Sequence, residues 1–142
     1  MINTLFLIIG SGIVAILYGY VSSSQILSAS PGNKKMQDIA EAIQVGAKAY
    51  LNRQYKTIAV VGLIVLIIIT YVLGIWVGLG YFIGSFLSGV AGYVGMLISV
   101  QANVRTAEAS RKGLASGLHI GFKSGAVTGM LVAGLALLSI SI

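Results

Sequence analysis

Very few side chains in this sequence could carry acid–base or metal chemistry. The 142 residues include three acids (Asp38, Glu41 and Glu108), one histidine (His119) and no cysteine. The lack of cysteine excludes a disulfide scaffold, a thiolate zinc site and a cysteine nucleophile. The three acids lie in two separate segments, so the clustered carboxylates of a magnesium site are not expected. We therefore predict no catalytic, cofactor-binding or metal-ligating residue within this chain.

His119 is the only histidine in the chain, and histidine is a common proton-transfer residue. It lies beside Ile120 and Phe122, at the edge of an apolar stretch. Two roles are open: an interfacial imidazole with one hydrogen-bonded nitrogen, or a proton relay. The interfacial position favours the first.

The composition is that of a membrane protein. Hydrophobic residues make up 57% of the chain and charged residues only 8%, against roughly 25% charged residues in ordinary soluble domains. So few charges cannot cover a water-exposed surface, and most of the chain must face lipid or other apolar helices. The net charge of +6 is therefore a topology signal, and a nucleic-acid partner is not expected.

All charged residues lie in two net-basic segments, 34–56 and 105–123. A membrane span needs about 20 mostly apolar residues, and the uncharged stretch 57–104 is long enough for two. We expect an all-α membrane protein with four transmembrane helices at about residues 4–26, 57–77, 81–104 and 120–142. Helical extensions are expected at about 34–56 and 105–119, and a turn at Gly78–Gly80, where glycines precede a tyrosine.

Both basic segments follow odd-numbered spans, so they lie on one side of the membrane. The positive-inside rule places that side in the cytoplasm and the N-terminus outside. From Met36 onward, apolar residues recur at spacings of three and four, after Pro31 and a candidate N-cap at Asn33. This pattern predicts one continuous helix from about Lys34 to about Val77. A separate amphipathic helix on the membrane surface is the alternative.

Small residues recur at every fourth position in the last two predicted spans. One stripe contains Gly113, Gly117, Gly121, Gly125, Gly129 and Ala133, and a shorter one contains Gly84, Ser88 and Gly92. Small residues at this spacing let membrane helices approach closely. We expect both stripes to pack against neighbouring helices.

Three long runs resemble the N-terminal region of the membrane-bound, ion-pumping pyrophosphatases. They are MQDIAEAIQVGAKAYLNRQY at 36–55, GYVGMLISVQANVRTAEA at 92–109 and GAVTGMLVAGLALL at 125–138. Members of this family are homodimeric, many-spanning proteins that hydrolyse pyrophosphate with Mg²⁺ on the cytoplasmic side and export protons or sodium ions. The resemblance is greatest to the bacterial proton-pumping type and implies a location in the bacterial inner membrane.

The resemblance also implies that the catalytic part lies elsewhere. The aspartates and lysines that hold magnesium pyrophosphate in the family lie downstream of the fourth span, and their acidic signature does not occur here. The sequence reaches Ile142 on an apolar helix without a polar tail. We expect the first part of a longer multi-span bundle, inactive alone, whose partners are the remaining helices of the same pump, the lipid bilayer, a second protomer and, in the complete protein, pyrophosphate.

Two other functions remain as alternatives. Composition alone favours a small non-catalytic membrane subunit or scaffold that binds partner helices through its glycine stripes. A small independent transporter is disfavoured, because such carriers usually keep an ionisable group in the middle of a span.

Overall fold

A computed structural model describes residues 2–141, which form four long helices. These are α1 (Ile2–Leu27), α2 (Lys34–Leu73), α3 (Ile75–Ser110) and α4 (Leu114–Ser141). All four are long and apolar enough to cross a membrane. With its 40 residues, α2 extends over about 60 Å, about twice the thickness of the hydrocarbon layer. The predicted all-α membrane fold with four spanning helices is confirmed.

The start of α2 is capped as the sequence predicts. The Asn33 side chain accepts a hydrogen bond from the Met36 backbone N–H at 3.0 Å, which satisfies one of the free donors in the first turn. Gly32 before it has φ +80°, a conformation that favours glycine. The helix then runs without interruption to Leu73, so the continuous helix is confirmed and the separate amphipathic helix is not observed.

The turn between α2 and α3 lies at Gly74, and the expected turn at Gly78–Gly80 is wrong. Gly74 has φ +93°, and its N–H donates to the Thr70 carbonyl. One glycine in this conformation is sufficient to reverse the chain. Gly78 and Gly80 lie inside α3, and a Cβ atom at Gly78 would collide with the Thr70 hydroxyl. Gly78 therefore allows α3 to lie close to Thr70 of α2 beside the turn.

The second basic segment is also interrupted, which corrects the expected helix over 105–119. Helix α3 ends at Ser110 and α4 begins at Leu114. Gly113 between them has φ +136°, which only glycine adopts readily. Gly117, one turn into α4, is buried against Ser110. The first glycine of the predicted stripe is therefore part of a tight reversal between the two helices.

The helices are ordered α1–α4–α3–α2 across the structure. Helix α4 packs against both α1 and α3, whereas within residues 2–141 α2 packs against α3 alone. Ile26, Ala102 and Val127 form the core where α1, α3 and α4 meet, and Ile98 and Leu131 pack around them. Each of the three helices contributes one buried residue to this core.

Helices α1 and α4 approach each other backbone to backbone at two glycines. A Cβ atom at Gly12 would lie 3.0 Å from the Gly134 carbonyl oxygen, and one at Gly134 would lie 2.9 Å from the Gly12 carbonyl oxygen. Gly19, two turns along α1, faces Leu131. Together with Ala15, which is buried, these residues form a small-residue face on α1 that the sequence interpretation did not include.

The predicted glycine stripe on α4 is only half correct. Gly117 and Gly121 contact Ser110 and Thr106, respectively, on α3. Gly125 and Gly129 are exposed, and nothing in the described structure lies within 4 Å of a Cβ atom built on either. The buried positions of α4 are Gly117, Ser124, Val127 and Gly134. In the second half of α4, the residues that contact neighbouring helices are therefore different from those of the predicted stripe.

The shorter stripe on α3 also makes fewer contacts than expected. Only Gly92 contacts a neighbouring helix, where a Cβ atom would lie 2.7 Å from the Tyr55 hydroxyl. Gly84 has nothing within 4 Å, and Ser88 is exposed.

Replacing Gly12 by Leu should destabilise the protein, because the new side chain would meet the backbone of α4. Overpacking of this kind typically costs about 1–3 kcal/mol, so thermal unfolding in detergent should occur at a clearly lower temperature. Gly10→Leu is the matched control on the same helix, since nothing lies within 4 Å of a Cβ atom at Gly10. Equal losses in both variants would contradict the α1–α4 contact.

Candidate functional site: the basic end of the bundle

The two basic segments meet at one end of the bundle. Helix α1 ends there, α2 begins there, and the α3–α4 turn closes it. Arg105 near the end of α3 donates hydrogen bonds to the backbone at Leu27 and Ala29, and a Glu108 carboxylate oxygen lies beside Gly32. Arg105, Glu108 and the start of α2 are therefore brought to a common surface, which we call the basic end.

Arg105 holds the end of α1 in place. Its Nη2 donates to the Leu27 carbonyl at 3.0 Å, its Nε to the Ala29 carbonyl at 3.2 Å and its Nη1 to the Gln101 carbonyl at 2.7 Å. The last carbonyls of a helix lack partners within it, and a cation near them is favourable. One guanidinium thus closes the α1 terminus and ties it to α3.

The contacts of Arg105 with the end of α1 were not predicted from the sequence. Within residues 2–141 the one ion pair joins Arg111 to Glu108 at 3.1 Å, with the Arg111 side chain 61% exposed. Exposed pairs of this type contribute little to stability. The position of Arg105 directly after the uncharged stretch 57–104 marks it as a residue at the end of a span. Its acceptors lie more than 70 residues away in the chain, so the sequence pattern alone does not indicate them.

The acidic side chains do not form a metal centre in the described part of the chain. Asp38 and Glu41 are exposed on the first turns of α2, and Glu108 pairs with Arg111. Over residues 2–141, no three His, Cys, Asp or Glu side chains lie close enough to hold one ion. These residues therefore do not fit a magnesium pyrophosphate site, which needs several carboxylates at one place.

An aromatic contact joins α2 to α3 where α2 leaves the basic end. The Tyr55 and Tyr93 rings pack edge to face with centroids 5.2 Å apart, a favoured geometry for aromatic pairs. The Tyr93 hydroxyl donates to Asn52 Oδ1 at 3.2 Å. Beyond this contact, α2 and α3 border an open apolar groove of about 900 Å³, with Phe82 and Phe86 on its wall.

His119 is exposed near the start of α4. Its imidazole lines a small open pocket between α1 and α4, together with Gln25 and Lys123. The Lys123 ammonium donates to Gln25 Oε1. Neither the hydrogen-bonded imidazole nor the proton relay is tested by this placement.

The comparisons with known proteins identify the family. Residues 13–142 match the profile of the inorganic H⁺ pyrophosphatases. The chain belongs to this family. The residues that match the profile include most of α1 and all of α2, α3 and α4.

Several curated pyrophosphatases of this kind are similar to the chain over most of its length. A K⁺-insensitive pyrophosphate-energized proton pump of Methanosarcina mazei is 46% identical over 133 residues, which is 92% of this chain and 20% of the relative. A second proton pump of this description from Moorella thermoacetica is 41% identical, covering 92% of this chain and 19% of the relative. A putative K⁺-stimulated pyrophosphate-energized sodium pump of Bacteroides thetaiotaomicron is 40% identical, with the same two coverages.

The chain spans about a fifth of the length of these pyrophosphatases. No solved structure matches it. The architecture described above is therefore that of one part of an H⁺ pyrophosphatase, and the basic end is one surface of that part.

Replacing Arg105 by Gln should lower the thermal stability of this pyrophosphatase segment, because the carbonyls of Leu27 and Ala29 would lose a charged donor. Hydrogen bonds to charged groups contribute about 1.5–3 kcal/mol, so a loss near the lower value is expected for a partly exposed site. Arg111→Gln removes the same charge from an exposed position and should change the unfolding temperature little. If both variants unfold at the same temperature, Arg105 does not secure α1.

Proposed function

We propose that residues 1–142 form the N-terminal helices of a membrane pyrophosphatase that couples pyrophosphate hydrolysis to proton translocation. The observation that carries this proposal is the 46% identity, over 92% of the chain, to a pyrophosphate-energized proton pump five times as long. The hydrolytic site and its Mg²⁺ would lie on helices outside this segment. The segment itself would form part of the wall of the bundle.

Physical chemistry supports the placement of the catalytic site elsewhere. Magnesium pyrophosphate presents several charges that must be neutralised by clustered carboxylates and cations. Asp38 and Glu41 lie exposed on α2, and Glu108 is paired with Arg111 on α3. We assign no catalytic, cofactor-binding or metal-binding role to any of them.

Proton coupling is proposed in preference to sodium coupling. Relatives described as proton pumps are 37–46% identical to the chain, and relatives described as putative sodium pumps are 40% and 42% identical. The highest of these values belongs to a K⁺-insensitive proton pump. Transport of sodium would be the alternative outcome of the assay below.

The proposed orientation places the basic end in the cytoplasm of a bacterial cell, with the pump in the inner membrane as a homodimer. The support for this orientation is the gathering of both basic segments at one end, because positive charge is retained on the cytoplasmic side. The opposite α2–α3 turn at Gly74 is uncharged and is flanked by exposed Tyr71 and Trp76. Aromatic residues of this kind are enriched at membrane interfaces.

A second candidate function is a small non-catalytic membrane subunit. It is favoured by the apolar surface that the four helices leave uncovered, including the exposed glycines at 125 and 129 and the apolar part of α2, none of which is buried. The complete reading frame separates the two candidates. A pump encodes an acidic pyrophosphate-binding motif after residue 142, whereas a small subunit does not.

The protein encoded by the complete reading frame, purified and reconstituted into vesicles, should hydrolyse pyrophosphate in the presence of Mg²⁺. It should acidify or alkalinise the vesicle lumen, depending on the orientation of the protein in the vesicle membrane. Residues 1–142 alone should show neither activity. Asp38→Asn and Glu41→Gln in the complete protein should leave hydrolysis within about twofold of the wild type. Turnover by the isolated segment that is lost in these variants would show that it contains an active site.

Labelling with an impermeant thiol reagent should establish the orientation, since the chain contains no native cysteine. Lys35→Cys and Lys112→Cys at the basic end should react only from the cytoplasmic side. Ile75→Cys, next to the α2–α3 turn, should react only from outside. Labelling of Ile75→Cys from the cytoplasm would reverse the proposed topology.

A further inference from the structure

A small open pocket between α1 and α4 combines polar and apolar side chains. Its volume is about 290 Å³, and its lining combines the polar side chains of Ser22, Gln25, His119 and Lys123 with Tyr18 and Phe122. Lys123 donates to Gln25 Oε1 across the pocket. The polar and apolar groups thus face one opening.

The pocket lies at the boundary between the apolar and the charged parts of the helices. No charged residue precedes position 34 and none follows Lys123, and the Lys123–Gln25 contact lies in the last turns of α1. Tyr18, two turns earlier in α1, lies about 10 Å deeper along the helix axis. The ammonium group is therefore at headgroup level, while the pocket wall continues toward the hydrocarbon layer.

The electrostatics of the pocket favour an anion. The only ion pair within residues 2–141 joins Arg111 to Glu108, so no carboxylate neutralises Lys123, whose hydrogen-bond partner is a neutral amide. Basic residues between helices on the cytoplasmic side attract anionic headgroups. The His119 ring lines the same pocket and adds a nitrogen that can donate to an anion bound beside the ammonium.

The apolar wall favours a lipid over a free anion. Phe122 is 79% exposed beside Lys123, and Val21 is exposed on the facing side of α1. Val21 lies one turn deeper in α1 than Gln25, and the two exposed side chains provide apolar surface for an acyl chain. A free phosphate ion would leave this surface unused.

We propose that this pocket binds the phosphodiester headgroup of an anionic phospholipid in the cytoplasmic leaflet. The proposal rests on the membrane orientation given above and does not depend on pyrophosphate hydrolysis. Lys123 holds the phosphate oxygens, and Tyr18, Val21 and Phe122 contact the glycerol and the first part of an acyl chain.

The test measures binding of phosphatidylglycerol to the complete, delipidated protein in detergent. Binding is detected by the change in thermal stability and by native mass spectrometry. Phosphatidylglycerol should raise the unfolding temperature of the wild type, and phosphatidylcholine and inorganic phosphate should not. Lys123→Gln should bind phosphatidylglycerol about fivefold more weakly, the effect expected of one basic residue near anionic lipid. Lys123→Arg, which keeps the charge, should retain binding and verify that the fold tolerates a change here.

Lys48→Gln is the matched control, because Lys48 is an exposed residue on α2 and the same charge is removed. Equal weakening in Lys48→Gln and Lys123→Gln would overturn the proposal, as would equal stabilisation by inorganic phosphate. Pyrophosphate hydrolysis measured on the same preparations separates the two proposals. If the protein hydrolyses pyrophosphate but is not stabilised by phosphatidylglycerol, the lipid site is wrong and the proposed function stands. If it is stabilised by phosphatidylglycerol but does not hydrolyse pyrophosphate, the lipid site stands and the proposed function is wrong.

Discussion

The backbone contact between α1 and α4 determines where the other helices can lie. In a bilayer, apolar side chains gain little by moving from lipid to a helix interface, so association depends on close packing and on weak polar contacts. Gly12 and Gly134 allow the two backbones to approach to carbonyl contact. With α4 held against α1, its other side is available to α3, and the core of Ile26, Ala102 and Val127 forms at the junction.

The polar contacts at the basic end complement this packing. Arg105 ties the terminus of α1 to α3, and Lys123 ties the last turns of α1 to α4. Arg105 follows a long uncharged stretch, and Lys123 precedes one. Each side chain can therefore reach polar partners without being placed in hydrocarbon. Two of the positive charges at the basic end therefore also join its helices there.

The peripheral position of α2 is consistent with a segment of a larger protein. Within the described residues α2 contacts α3 alone, and its most apolar window is entirely unburied. The groove between α2 and α3 is likewise open in the described part of the chain. The relatives are about five times as long as the chain, so most of their length has no counterpart in it.

The sequence by itself determined the fold class, the number of helices, the start of α2 at its Asn33 cap and the gathering of the basic segments at one end. These features follow from local composition, helical periodicity and the alternation of antiparallel helices. Family membership was also evident in three long runs of residues. In each case the information lies in neighbouring positions of the chain, which is why it could be obtained without coordinates.

Only the tertiary structure decided which small residues form contacts and which form turns. Gly74 reverses the chain while Gly78 packs beside Thr70, although both occur in the same glycine-rich run. Gly125 and Gly129 continue a regular stripe but face outward, whereas Gly12 and Gly134 meet across helices. The acceptors of Arg105 are likewise on another helix. The physical reason is that a contact depends on the rotation and crossing of two helices, which are set by the partner's surface as much as by a residue's own neighbours.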